Sequence, residues 1–208
     1  MESVYEVDGD VAATTKWAAG PWDPTMQHGA PPAALTVWAA ERLPTAQPME
    51  VARVTVDLMR PVPLTPLRIA AEVVREGRKI QLCQVRLFAE RTEVVRASVL
   101  KVRTRSFALP PEAAIPKLDM PGPEEGRTPS ESWRRSNPFL SGMSLRICKG
   151  GFMDKGPGAI WFRADRPIVA GEATSPAMRA VIAADFSNGT SSLLDFEEWT
   201  YLNADLTV

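Results

Sequence analysis

The sequence predicts an α+β protein in which one unit, a long buried helix followed by antiparallel strands, occurs twice. Two apolar helices, over 33–43 and 177–186, stand far apart in a chain of 208 residues. Runs of alternating apolar and polar residues follow the first helix, as in an antiparallel sheet, and fewer strand signals surround the second. We therefore expect two related units, residues 1–105 and 141–208, joined by a linker over 106–140.

The first helix is predicted to begin with Pro31 and Pro32 and to end before Pro44. Proline suits the first turn of a helix, because the N–H that it lacks would have no partner there. The residues that follow are nearly all apolar, which predicts burial on most sides. A helix of this kind needs a sheet packed around it.

Four strands are predicted to follow this helix. In each of them apolar and polar residues alternate at least in part, and prolines or glycines between them supply turns. Short connections between such strands favour antiparallel neighbours, as in a meander. The four predicted strands cover residues 51–59, 67–75, 80–89 and 93–103.

The second unit follows a segment that is rich in Pro, Glu, Ser and Arg and has no periodicity, which indicates a linker. Ser175 followed by Pro176 predicts the start of the second helix. Asn188 and Gly189 predict a left-handed cap at its end. Further strand signals cover residues 144–153, 158–164 and 200–208.

An internal repeat supports the two-unit interpretation, because the order of helix and then strand is the same in both. The first unit has four strands after its helix, whereas the second has room for one. We therefore expect the second unit to be incomplete, with about 40 residues of a second meander missing. The matched pairs are Pro32 with Pro176, Val37 with Val181, Glu41 with Asp185, and Val56-Asp57-Leu58 with Ala204-Asp205-Leu206.

Composition argues against several classes of partner. The formal net charge is −1, so there is no electrostatic reason to expect nucleic acid or an anionic membrane. No apolar run approaches the roughly 20 residues needed to span a bilayer. The acidic N-terminal residues lack the apolar core of a signal peptide, and the two cysteines form no CxxC motif. We expect a cytoplasmic protein.

The chain contains a single histidine, His28. A Ser-His-Asp hydrolase needs a histidine base, and a zinc site usually needs histidine or cysteine ligands. No phosphate-binding glycine motif is present either. We therefore expect neither a metal nor another cofactor, and we expect any hydrolytic chemistry to depend on a carboxylate.

Asp185 is the carboxylate that the pattern singles out. It lies at the C-terminal end of the second predicted helix, where the helix dipole disfavours an anion. Its neighbours at helical spacing, Met178, Val181 and Ile182, are apolar. Burying a carboxylate there is costly unless it is paired or functional. Two interpretations stay open: a reactive carboxylate, or one whose oxygens accept hydrogen bonds from the loop after Gly189.

Several segments together resemble the acyl-CoA thioesterases of the double-hotdog type. A hotdog is one long helix cradled by a curved antiparallel sheet, and a double hotdog has two in tandem. The resemblance extends over nearly the whole chain except the linker. It is carried by residues 20–24 (GPWDP), 27–35 (QHGAPPAAL), 56–63 (VDLMRPVP), 183–189 (AADFSNG) and 203–208 (NADLTV).

The resemblance implies a double hotdog with an incomplete second repeat, which hydrolyses acyl-CoA to free acid and CoA and forms a homo-oligomer through its sheets. Asp185 matches the general base, which activates a water for attack on the thioester carbonyl. Asn203 matches the group that orients this water, where the family often carries threonine. Thr207 shares a strand face with Asp205 and either assists or only packs. A glutamine of the family's site is expected beyond Val208.

His28 and Gly29 precede the first helix, and the resemblance implies that they bind substrate. The loop entering the helix approaches the thioester in single-hotdog enzymes, and glycine permits close backbone approach. The alternative for His28 is a helix-entry residue that contacts backbone, and for Asn203 a turn or strand-start residue. Two other functions stay open: an acyl-CoA or fatty-acyl binding protein without turnover, and a hydratase, which usually pairs a histidine with a carboxylate.

Overall fold

A seven-stranded antiparallel sheet packed against one long helix forms the larger part of the molecule. The structure is a computed structural model that describes residues 2–116, 118–195 and 198–208. The strand order in the sheet is β1-β2-β4-β5-β6-β3-β9, and a second sheet pairs β7 with β8. The strands are β1 (Tyr5–Asp8), β2 (Val11–Thr14), β3 (Met49–Leu58), β4 (Leu67–Glu76), β5 (Ile80–Ala89), β6 (Thr92–Arg103), β7 (Met143–Lys149), β8 (Ala159–Ala164) and β9 (Asp205–Thr207). The helices are α1 (Ala30–Glu41), α2 (Glu131–Arg135), α3 (Pro176–Asp185) and α4 (Ser187–Thr190).

Helix α1 is the centre of the core, as its apolar sequence predicts. Every residue in it is buried except Trp38 and Glu41. Strands β3 to β6 all contact it, and β5 alternates buried with half-buried residues along its whole length. The helix starts after Gly29 with two prolines in its first turn. This is the helix-and-sheet arrangement expected of a hotdog.

The strand order differs from a simple meander in one respect. Strands β4, β5 and β6 are sequential neighbours, but β3 pairs with β6 instead of β4. The place beside β4 belongs to β2, which forms a hairpin with β1. The sequence pattern predicts no strands in this N-terminal hairpin. Each of its strands has only four residues, which is too short for a clear alternating pattern.

The second unit also departs from prediction at its element ends. Strand β7 stops at Lys149, four residues before the predicted end, and β9 covers three residues of the predicted nine. The left-handed cap predicted at Asn188 and Gly189 is wrong. Helix α3 ends at Asp185, and the next residues form the short helix α4 without a positive φ at Gly189.

Contacts between the two units are extensive. Helix α3 packs against α1, and β9 joins the large sheet by pairing with β3, with Leu206 opposite Val56. The N–H groups of Val4 and Tyr5 donate to the carbonyls of Pro167 and Ile168, at 3.0 and 2.8 Å. The chain before α3 is therefore hydrogen-bonded to the first strand of the N-terminal unit.

The predicted linker contributes to the core. Its C-terminal part forms α2 and continues into a buried turn, where Phe139 and Leu140 are 3% and 4% exposed. Within the part of the chain that the structure describes, no helix is long and apolar enough to cross a bilayer.

Candidate active site

A cavity of about 740 Å³ opens where the start of α1 meets the end of α3. Its size falls in the usual range for small-molecule sites. Most of its walls are apolar, and a cluster of polar side chains lies at the point where the two helices meet. The residues that line it come from 20–23, 26–29, 58–62, 133–140, 152–153, 185–189 and 202–204.

Asp185 lies at this polar point and is almost fully buried. Its Oδ2 atom is 2.8 Å from Nδ1 of His28, and its Oδ1 atom accepts a 2.7 Å hydrogen bond from Nδ2 of Asn203. The whole residue is 4% exposed and lies in the cavity wall. A buried carboxylate at a helix C-terminus is thus stabilised by specific partners, as such a charge requires.

Asn203 connects the segment before β9 to the end of α3. Besides Oδ1 of Asp185, its Nδ2 atom donates to the backbone carbonyl of Asp185 at 2.8 Å. This carbonyl belongs to the last helical turn and has no partner within the helix. Both partners are acceptors, so the amide nitrogen must face Asp185, which leaves the amide oxygen of Asn203 as an acceptor beside the cavity. Asn203 precedes β9 by two residues.

The loop that carries His28 is held on two sides. The N–H of His28 donates to the carbonyl of Ala18 at 2.8 Å, and the side chain of Gln27 donates to the carbonyl of Pro63 at 2.8 Å. The hydroxyl of the fully buried Tyr5 donates to Oε1 of Gln27. These bonds fix the backbone position from which the imidazole reaches Asp185.

Electrostatics favour the ionised form of Asp185. Burial by itself opposes ionisation, but the attraction of a protonated His28 and the hydrogen bonds from His28, Asn203 and the N–H of Ala30 outweigh it. The pKa of Asp185 is therefore lowered from its ordinary value. The carboxylate is available as an anion at neutral pH.

The carboxylate of Asp185 leaves no room for a side chain at position 29. A Cβ atom at position 29 would lie 2.7 Å from Oδ1 and 2.9 Å from Oδ2 of Asp185, closer than real Cβ contacts. Glycine is therefore needed for α1 to start this close to the end of α3. Its N–H donates no hydrogen bond to another backbone group in the described residues, and Gly29 is one of the residues that line the cavity.

A cluster of aromatic rings surrounds the imidazole. The His28 ring lies 4.6 Å from the ring of Phe186 and 5.3 Å from that of Phe139, measured between centroids. Phe152 and Phe162 extend the cluster from Phe186, with ring centroids 6.1 and 5.0 Å away. The polar group is thus flanked by apolar aromatic side chains.

The structure brings together four of the five predicted site residues: His28, Gly29, Asp185 and Asn203. The fifth, Thr207, is exposed in β9 and lies outside the lining of the cavity. Its backbone pairs with Thr55 of β3. His28 belongs to the N-terminal unit, but α1 and α3 meet at this point, so His28 contacts Asp185 of the C-terminal unit.

Sequence reasoning missed the contribution of the linker. Trp133, Asn137 and Leu140 line the cavity, and Phe139 contacts the imidazole. Phe139 and Leu140, two adjacent apolar residues at the end of the predicted linker, were the available signal. Among the described residues, no group of three or more His, Cys, Asp or Glu side chains could hold a metal ion.

Comparisons with solved structures show the fold. A candidate thioesterase II from Thermobifida fusca has 17% sequence identity and a TM-score of 0.72, with 99% of this chain and 76% of that chain covered. A hotdog-fold protein of unknown function from Alicyclobacillus acidocaldarius has 20% identity and a TM-score of 0.60, with 77% of this chain and 60% of that chain covered. A candidate thioesterase from Novosphingobium aromaticivorans has 20% identity and a TM-score of 0.63, covering 89% and 72%. The expected α+β hotdog class is confirmed.

Family models identify the chain more closely than the structures do. No curated protein matches the sequence. The model for the acyl-CoA thioesterase N-terminal domain matches residues 18–102, and the model for the C-terminal domain of the same family matches residues 112–208. These two matches cover most of the sequence in the family's own domain order, so the chain belongs to the acyl-CoA thioesterase family.

Proposed function

We propose that this protein hydrolyses acyl-CoA thioesters to a free acid and CoA in the cavity between α1 and α3. The observation that carries the proposal is the buried, ionised Asp185, held by His28 and Asn203 in the wall of a mostly apolar cavity. A carboxylate in this position can activate a water molecule for attack on a thioester carbonyl. Family membership supports the same reaction.

The neighbouring groups suit the other needs of this reaction. The amide oxygen of Asn203 can accept a hydrogen bond from the water and so orient it. The N–H of Gly29 is available for the oxygen of the thioester as negative charge develops on it. The apolar walls, including Leu58, Leu140 and Phe152, accommodate the acyl chain, and the exposed Arg60 beside the cavity suits a CoA phosphate.

The test is thiol release from a panel of acyl-CoAs that differ in chain length. Asp185→Asn is expected to lower kcat by roughly 10²- to 10⁴-fold, the usual contribution of a positioned base. Asp205→Asn serves as the matched control, because it removes the same charge from an exposed aspartate outside the cavity. Equal activity of the two variants would contradict the proposal.

One observation favours a second candidate, an acyl-CoA binding protein without turnover. Both oxygens of Asp185 already contact protein groups, Oδ2 with His28 and Oδ1 with Asn203, as in a carboxylate that serves to hold two segments together. Calorimetric titration with acyl-CoA separates the two candidates. Tight binding without thiol release from any substrate of the panel would favour the binding protein.

A further inference from the structure

The atom that receives the proton from the water need not belong to Asp185. The side chain of Asp185 is 3% exposed, whereas that of His28 is 13% exposed, and both lie in the cavity wall. Each carboxylate oxygen is engaged by a protein group, Oδ2 by His28 and Oδ1 by Asn203. Of the two side chains, the imidazole is the more accessible to a water in the cavity.

The hydrogen bonds also decide which nitrogen of His28 carries a proton. Nδ1 lies 2.8 Å from Oδ2 of Asp185 and 3.2 Å from the N–H of Ala30. An ionised carboxylate can only accept, so the shorter contact requires a proton on Nδ1. The N–H of Ala30 also points at Nδ1, but this contact is longer than the one to the carboxylate, and the same N–H hydrogen-bonds the Asp185 carboxylate as well.

This assignment leaves the lone pair of neutral His28 on Nε2. Nε2 makes no hydrogen bond to any residue that the structure describes. The rings of Phe139 and Phe186 lie 5.3 and 4.6 Å from the imidazole and restrict its rotation, while Asp185 fixes its other nitrogen. The imidazole is thus oriented by a carboxylate as in a catalytic dyad.

We propose that Nε2 of His28 is the base that deprotonates the hydrolytic water, and that Asp185 acts through the imidazole as a positioning residue. This inference rests on the proposed thioesterase function and specifies how the carboxylate activates water. It makes the only histidine of the chain a catalytic residue, although it lies 157 positions before Asp185 in the sequence, in the N-terminal unit.

The chemical step balances without any further reactant. Water attacks the thioester carbonyl carbon while one of its protons moves to Nε2, and the carbonyl π electrons move to oxygen. The tetrahedral intermediate then re-forms the carbonyl, and the C–S bond breaks with its electron pair on sulfur. The imidazolium returns its proton to the thiolate, which gives the carboxylic acid and the free thiol of CoA. Asp185 stays ionised and stabilises the imidazolium throughout.

The first experiment compares His28→Gln and His28→Phe with the wild type in thiol release. Glutamine keeps a polar side chain and phenylalanine keeps the ring packing, so at least one variant should fold, as circular dichroism would verify. Both are expected to lose roughly 10²- to 10⁴-fold in kcat. A folded variant of either kind that retains kcat within about tenfold of the wild type would overturn the inference.

A second experiment does not depend on turnover. Because the chain has one histidine, isotope labelling of histidine gives a single set of imidazole ¹⁵N signals in NMR. The expected result is a proton on Nδ1 and a lone pair on Nε2 at the pH of the activity assay, with a shift of this tautomer preference in Asp185→Asn. A proton on Nε2 in the wild type, whether in the other tautomer or in an imidazolium, would overturn the inference.

The two proposals fail in different ways. Absence of thiol release from every acyl-CoA by the wild type would remove the thioesterase function itself. Thiol release that survives in the His28 variants, but not in Asp185→Asn, would keep the function and assign the proton to the carboxylate directly. Diethyl pyrocarbonate modifies the single histidine and provides a check without variants. We expect it to abolish thiol release, and hydroxylamine, which reverses the modification, to restore it.

Discussion

Gly29 is the residue whose substitution most directly tests how close α1 and α3 must come. Gly29→Ala would place a methyl group 2.7 Å from a carboxylate oxygen of Asp185 that is buried and hydrogen-bonded. Overpacking of this kind typically costs about 1–3 kcal/mol, so we expect a lower free energy of unfolding in chemical denaturation. Thiol release should fall as well, because the methyl group displaces the carboxylate from His28.

A second substitution tests whether the clash with the Asp185 carboxylate causes this loss of stability. In an Asp185→Ala background the atoms that the new methyl group meets are gone, so Gly29→Ala should then cost much less stability. An equal loss in both backgrounds would mean that the clash lies elsewhere and that Gly29 is not fitted to Asp185.

Asp185 should also leave a signature in the pH dependence of stability. Its pKa is lowered in the folded protein, so the unfolded chain binds a proton at a higher pH than the folded one. Its contribution is therefore fully present above the unfolded pKa of about 3.9 and is lost as the pH falls through the folded pKa. Between about pH 5 and 3, the wild type should lose more stability than Asp185→Asn in urea titrations. Parallel curves for the two proteins would contradict this.

At the scale of elements, strand β1 supports the site from a distance. The hydroxyl of Tyr5 donates a hydrogen bond to Gln27, which precedes His28. The backbone of Tyr5 is hydrogen-bonded to the segment before α3. Tyr5→Phe leaves the buried packing intact but removes the donor to Gln27, and an unsatisfied polar group costs about 1–3 kcal/mol. We expect a drop in stability together with a lower kcat. A double-mutant cycle with Gln27→Leu should show coupling, whereas additive effects would separate the strand from the site.

An element could be predicted from the sequence when it was long and when its formation did not depend on pairing with a distant segment. Helix α1 was found from a continuous apolar run behind two prolines, and β5 was found at its observed ends. The hairpin β1–β2 was not predicted, because a strand of four residues is too short to show a clear alternating pattern. The predicted strand at 200–208 was longer than β9. The length of β9 is set by its pairing with β3, and the local sequence does not encode that partner.

For the molecule as a whole, the candidate site could be only half foreseen. Asp185 stood out because a carboxylate among apolar residues at a helix end is costly. The resemblance added His28, Gly29 and Asn203. The contact between His28 and Asp185 could not be read from spacing, because it depends on α1 starting where α3 ends. Phe139 is a similar case, since its role depends on a folded turn in a segment of linker-like composition.

The contacts between the two units predict how the chain unfolds. Helix α3 packs on α1, β9 completes the large sheet beside β3, and β1 bonds to the segment at 167–170. Neither unit can unfold without exposing apolar surface of the other, so we expect one cooperative transition instead of two. In calorimetry, the ratio of the calorimetric to the van't Hoff enthalpy should be close to one.

Ligand binding should move this single transition as a whole, because the cavity is lined by residues from both units. A non-hydrolysable acyl-CoA analogue at a hundredfold excess over its Kd is expected to add about 2.7 kcal/mol to the free energy of unfolding. Asp205→Asn should respond like the wild type. Two resolved transitions, with only one of them shifted by the analogue, would show that the units fold separately and that the ligand site belongs to one of them. The dyad between His28 and Asp185 would then lack the rigid interface that its geometry requires.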